Sequence, residues 1–212
     1  MSAGQTCIYC GRPANDADHV PPKCLSQRPL PNGLIKVPSC KACNRQFGFD
    51  DEHFRDSIAL STLDTPDPPE LKTLHDAVKR SLLRKPYRPP ARKILGMSHQ
   101  GWTRHGTRIA LRATVFPIDM QRIGRTVGRV VKALHYHETK RVLPAAHAPK
   151  VIHSNRLRSV PFWDRPFIER AFAPLRTAQW RAIGGRAFGY AFASPSRDPD
   201  NTIWFLSFLG FE

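Results

Sequence analysis

Two cysteine pairs constrain this 212-residue chain more than any other feature: Cys7-x-x-Cys10 and Cys40-x-x-Cys43, separated by 29 residues. Each such knuckle sets two thiolates about 3.5–4 Å apart on one tight turn, and two knuckles converge on a tetrahedral zinc ion. Disulfides suit oxidising compartments, whereas residues 1–6 have neither the basic nor the apolar segment of a secretory signal. A thioredoxin-type dithiol uses one pair beside a strand–helix–strand pattern, and here there are two. The spacing therefore predicts a closed, structural Zn²⁺ site on Cys7, Cys10, Cys40 and Cys43. Its task would be to hold together a segment too small to build its own core. Cys24 is left over as an ordinary thiol.

Charge divides the chain along the same line. The whole carries 33 Lys and Arg against 17 Asp and Glu, a net charge of +16. Residues 1–56 hold 7 basic and 6 acidic side chains, and the remainder holds 26 and 11. From Ala77 to Ile118 there are ten Lys and Arg and no carboxylate. A charge of this size faces a polyanion, most often nucleic acid. No apolar run approaches the length of a membrane span, so a soluble, cytoplasmic protein without membrane contact is expected. No Walker loop or G-x-G-x-x-G motif supports ATP-driven chemistry.

Between the knuckles lies Asp18-His19-Val20-Pro21-Pro22-Lys23. Adjacent residues of an extended strand point to opposite sides, so Asp18 and His19 are poor partners for one ion pair. One of them could hold a metal while the other handles a proton; a surface Asp beside a packed His is the plainer alternative. Asn44 follows the second knuckle directly, and Asp51-Glu52-His53-Phe54-Arg55 comes soon after.

Asp-His between two Cys-x-x-Cys knuckles, with Asn after the last Cys, resembles the HNH endonucleases of the ββα-metal superfamily. With Val37-Pro38-Ser39-Cys40 and Asp51 to Arg55, residues 7–56 look like a four-cysteine, zinc-containing set of bacterial and phage HNH proteins. The resemblance implies an α+β fold whose N-terminal unit is a zinc-stabilised, treble-clef-like ββα-metal module over residues 1–62. It implies His19 as the general base, with an ordinary pKa near 6.5 suited to that task. It also implies Asp18 and Asn44 as ligands of a catalytic Mg²⁺ or Mn²⁺, a one-metal mechanism, and 5′-phosphate and 3′-hydroxyl products. The family's middle Asn is missing: Ile35 stands five residues before Cys40, and the nearest Asn is Asn32. On one continuous helix, at about 100° per residue, His53 points away from Asn44 and reads as a structural residue. Asp51 faces nearly the same way as Asn44, as a weaker candidate for a ligand or substrate contact.

Residues 63–100 read as a connector: a helix over 69–83, then the basic, proline-studded stretch Lys85 to Lys93, expected to be extended and exposed. Residues 101–212 read as a basic α+β unit with an antiparallel sheet. Its elements are a strand over 107–116, a helix over 120–137 capped by Asp119, and strands over 182–194 and 202–211. The helix shows an apolar face (Ile123, Val127, Val130, Val131, Leu134), expected to pack on a sheet, and a basic face of Arg122, Arg125, Arg129 and Lys132. Candidate nucleic-acid contacts are Lys23, Arg45, Lys85, Arg88, Arg92, Lys93, Arg125 and Arg129.

Two functional classes follow. One is a metal-dependent endonuclease cutting DNA, or less fittingly RNA, with the basic unit gripping the substrate. The other is a zinc-stabilised nucleic-acid-binding module without catalysis. The basic unit could instead dock a protein partner, making the chain a nuclease subunit of a defence or mobile-element system, active only with that partner.

Overall fold

The computed structural model describes residues 5–26, 29–62, 69–83, 90–105, 108–144, 147–152, 164–194 and 200–209. Its architecture is mixed α+β, with five α-helices and three antiparallel sheets among those residues.

The N-terminal part is a hairpin followed by a helix. Strand β1 (Asp16–Val20) pairs antiparallel with β2 (Ile35–Ser39), with His19 opposite Lys36 and Asp18 opposite Val37. β1 ends at Pro21-Pro22, where the missing amide hydrogens stop the ladder, and a 3₁₀ turn over Lys23–Leu25 follows. Helix α1 (Lys41–Ser61) starts at the second knuckle, with Cys40 as its N-cap.

Helix α2 (Pro69–Leu83) has the bounds expected from its period, and it buries Leu71, Leu74 and Val78. His75 Nε2 lies 2.8 Å from Thr62 Oγ1 and 3.0 Å from the Ala59 carbonyl, tying α2 to the end of α1. Helix α3 (Pro90–Gly96) occupies part of the stretch expected to be extended. Pro90 is its first residue, a position that suits the fixed φ of proline, and Ala91 and Ile94 are buried. Asp56, wholly buried on α1, accepts the Ala91 amide at 2.8 Å and pairs with Arg55.

Strands β3 (His99–His105) and β4 (Arg108–Val115) form a second hairpin. Helix α4 (Met120–Thr139) begins at Asp119, whose carboxylate accepts the amides of Gln121 and Arg122. Helix α5 (Arg165–Phe172) precedes a three-stranded sheet of β5 (Arg181–Ile183), β6 (Phe188–Ala193) and β7 (Ile203–Phe208). Gly184 and Gly185 turn β5 into β6 at positive φ, +66° and +67°, which side-chain-bearing residues rarely adopt.

One buried cluster runs from Ile8 to Leu209 and draws on residues of the hairpin, α1 to α4 and the C-terminal sheet. Phe54 of α1 meets Phe208 of β7 edge-on, ring centroids 4.9 Å apart. Helix α4 packs mainly along α1 and also touches β1 and β2. The sequence expectation of a helix packed on a sheet holds in part: the apolar residues Val130, Ala133 and Leu134 join the cluster that includes sheet residues, while the closest packing is along α1. Along α1, Asp50 and Asp51 lie on the side that meets the arginines of α4.

No helix among the described residues is long and apolar enough to cross a membrane.

Candidate metal centre and adjoining pocket

The first knuckle is a backbone loop closed by Cys7 N–H to the Arg12 carbonyl (2.7 Å) and Gly11 N–H to the Cys7 carbonyl (2.8 Å). The second knuckle is the first turn of α1, where Cys40 Sγ accepts the Cys43 amide at 3.5 Å. All four Sγ atoms lie within 4.8 Å of one another, and Cys10 and Cys40 are 3.7 Å apart. A tetrahedron with metal–sulfur bonds of about 2.3 Å has edges of about 3.8 Å. The four cysteines are therefore close enough to bind one metal ion, and an all-thiolate set is the donor chemistry of structural zinc. Arg12 Nε lies 3.5 Å from Cys10 Sγ and draws that thiol down to about 6, toward the thiolate a metal needs. Burial pushes the Cys43 thiol up, a cost that bound metal would offset.

Beside this cluster a pocket of about 370 Å³ opens between the hairpin and α1. Asp16, Asp18 and His19 line it from β1, Asn44, Arg45, Asp51 and Glu52 from α1, and Lys23 from the 3₁₀ turn. The three residues singled out in the sequence, His19, Asp18 and Asn44, thus share one cavity.

Their surroundings differ. His19 is half-buried, and partial burial together with Lys23 and Lys36 holds its pKa below the ordinary value, against the pull of Asp18. The imidazole is therefore neutral at pH 7. Asp18 is 5% exposed; its Oδ2 accepts the Tyr9 hydroxyl at 2.6 Å and lies 3.5 Å from Arg129 Nη1. Its Oδ1 accepts the main-chain amide of His19 at 2.8 Å. The Asn44 amide nitrogen donates to Asp16 Oδ2 (3.0 Å) and to the Ala17 carbonyl (3.3 Å). Reversing that amide would set its oxygen against two acceptors, so Oδ1 must point away from both.

Arg129 reaches this site from α4. Its guanidinium bonds Asp51 at 2.6 Å and lies 4.6 Å from the centre of the Phe47 ring, which in turn meets Tyr9 edge-on. Burial raises the Asp51 carboxyl to about 6, with Arg129 pulling it down and Asp18 pushing it up. At 6% exposure Arg129 is an interior ion-pair partner, and the basic-face reading that made it a nucleic-acid contact does not describe its surroundings. Arg122 and Arg125 both pair with Asp50, at 2.8 and 2.7 Å. Lys23, Arg45, Arg92 and Lys93 are exposed, and Arg92 caps the Leu82 carbonyl at 2.7 Å. Lys85 and Arg88 fall outside the described residues.

His53 is buried on the face of α1 opposite Asn44, near Asp119 and Arg122, as a structural helix residue would be. Ile35 is part of the hairpin core, and Asn32 lies exposed in the loop before it. Three participants escaped the sequence reading: Tyr9, Asp16 and Arg129 as an internal counter-charge. Asp16 had a signal, since it shares a strand face with Asp18 at i, i+2. Tyr9 and Arg129 had none, because each meets Asp18 only through the tertiary fold.

Compared with protein-family models, curated proteins and solved structures, the chain matches none.

Proposed function

We propose that the chain is a metal-dependent endonuclease of the HNH type, hydrolysing phosphodiester bonds of DNA, with His19 as the general base. The observation that carries this reading is the convergence of His19, Asp18 and Asn44 in one pocket beside a four-cysteine cluster. A hairpin running into a helix that starts at the second knuckle is also the order of elements a ββα-metal unit has.

The residues fit the roles in part. Neutral His19 can accept the proton of an attacking water as the new oxygen–phosphorus bond forms and the bond to the 3′ oxygen breaks. The departing 3′ oxygen takes a proton from solvent water, which leaves 5′-phosphate and 3′-hydroxyl ends. Asn44 Oδ1 and a carboxylate oxygen of Asp18 would hold Mg²⁺ or Mn²⁺, and a carboxylate oxygen has a second lone pair beyond the one given to Tyr9. Such an ion stabilises charge on the phosphate and the leaving oxygen when bound. Asp16 fixes the amide of Asn44, and the zinc site fixes the start of α1.

The engagement of Asp18 with Tyr9 and Arg129 favours a second reading, a zinc-stabilised nucleic-acid-binding module without catalysis. One experiment separates the two. Purified protein is incubated with supercoiled plasmid in Mg²⁺, in Mn²⁺ or without added divalent ion, beside His19→Ala. Nicking that needs the ion and disappears in His19→Ala, with DNA binding retained, is the expected result. Binding without nicking in either ion would overturn catalysis by the isolated chain.

A further inference from the structure

The distribution of compensated and uncompensated charge inverts the division of labour suggested by the sequence. By composition, residues 1–56 are almost neutral and the polyanion-seeking cations lie beyond them. In the fold, three arginines of α4 face three aspartates: Arg122 and Arg125 meet Asp50, and Arg129 meets Asp18 and Asp51. Asp56 is likewise taken by Arg55. Four of the six carboxylates of residues 1–56 are therefore neutralised internally. The basic side chains left near the pocket, Lys23, Lys36, Lys41 and Arg45, are all exposed, and none has a carboxylate ion-pair partner among the described residues.

Two of the four share the pocket with His19, one lies across the hairpin from it, and Lys41 stands at the start of α1. Lys36 is the cross-strand neighbour of His19, so the two side chains leave the same face of the hairpin. Lys23 and Arg45 line the pocket itself.

We propose that this rim, Lys23, Lys36, Lys41 and Arg45, is the surface that binds the nucleic-acid backbone, and that the arginine face of α4 is not. The inference rests on the nuclease reading for its purpose but not for its test. A backbone laid across the rim sets a phosphate against His19 with cations on both sides. Each phosphate contact releases condensed counterions, which makes the number of contacts measurable from salt dependence.

The test is binding of a fluorescent 24-base-pair duplex of arbitrary sequence, without added divalent ion, over a series of salt concentrations. Each phosphate contact contributes about −0.9 to the slope of log K against log salt. The Lys23→Gln/Lys36→Gln/Lys41→Gln/Arg45→Gln variant is expected to lose about 3–4 from the magnitude of the wild-type slope, and Lys36→Gln/Lys41→Gln about half of that. Arg122→Gln/Arg125→Gln should leave the slope within about 0.5 of wild type. Circular dichroism and zinc content show whether each variant is folded. A slope unmoved in the folded quadruple variant, a larger loss in the α4 variant, or no duplex binding by the wild type would each overturn the proposal. Absence of cleavage with an intact rim effect would instead count against catalysis alone.

Discussion

Arg129 is the residue on which the interior of the site turns. Asp18 is buried and Asp51 is partly so, and the buried Arg129 guanidinium serves both. Taking away a partner of a buried ion pair costs about 3–5 kcal/mol, because the remaining charge has neither water nor counter-ion. Arg129→Met is therefore expected to lose stability on that scale in urea denaturation. Carbon-13 spectroscopy of the carboxyls gives a sharper readout. Asp51 should titrate near 6 in the wild type, raised mainly by burial. Since Arg129 pulls that value down, Arg129→Met should move it higher, and Arg129→Lys should bring it part of the way back. Titration of Asp51 near 4 in the wild type, or no upward movement in Arg129→Met, would contradict the assigned roles.

At the scale of elements, the metal cluster and α1 are one device. Cys40 belongs to the four-cysteine cluster and is the N-cap of α1, so a metal ion held there would set where the helix starts and hence where Asn44 lies. Zinc affinity of a four-ligand site in small peptides is about 10–16 kcal/mol, comparable to the whole stability of a domain, about 5–15 kcal/mol. The purified protein should carry one zinc per chain by elemental analysis. Cys7→Ser should lower that content and remove helical signal in circular dichroism; full helicity without bound metal would show that the cluster is dispensable.

How much of this was legible depends on whether the information was local. Helix α2 appeared with its observed bounds because Leu71, Leu74 and Val78 repeat at helical spacing. Helix α4 appeared because Asp119 is a strong N-cap residue. Helix α3 was hidden behind prolines that read as breakers, although Pro90 sits where a helix accepts one. β3 was hidden because His99–His105 lacks an alternating apolar pattern. The four-cysteine cluster was legible from spacing, and the meeting of His19, Asp18 and Asn44 in one pocket was legible from resemblance. The pairing of the α4 arginines was not, since their aspartates lie more than 70 residues earlier in the chain.

At the scale of the whole molecule, burial of histidines governs pH behaviour. His19, His53, His135 and His137 all have pKa values lowered by burial. The unfolded chain takes up these protons near pH 6.5 while the folded one resists, so stability falls as pH drops below about 6.5. Asp51 and Asp56, whose pKa values are raised, act in the opposite sense over the acid range. The histidine shifts predict a urea midpoint lower at pH 5.5 than at pH 7.5, and an equal or higher midpoint at pH 5.5 would show that the aspartates dominate instead.

In the proposed reading one molecule uses two kinds of metal site, a thiolate cluster that builds the fold and an oxygen-lined pocket that reacts. Crystals grown with Mn²⁺ test this most directly, because anomalous scattering separates manganese from zinc by absorption edge. Zinc is expected among Cys7, Cys10, Cys40 and Cys43, and manganese bonded to Asn44 Oδ1 and an Asp18 oxygen beside His19. Zinc at the cysteines with no manganese in the pocket, at a Mn²⁺ concentration that saturates ordinary nucleases, would contradict this reading and leave a binding module in its place.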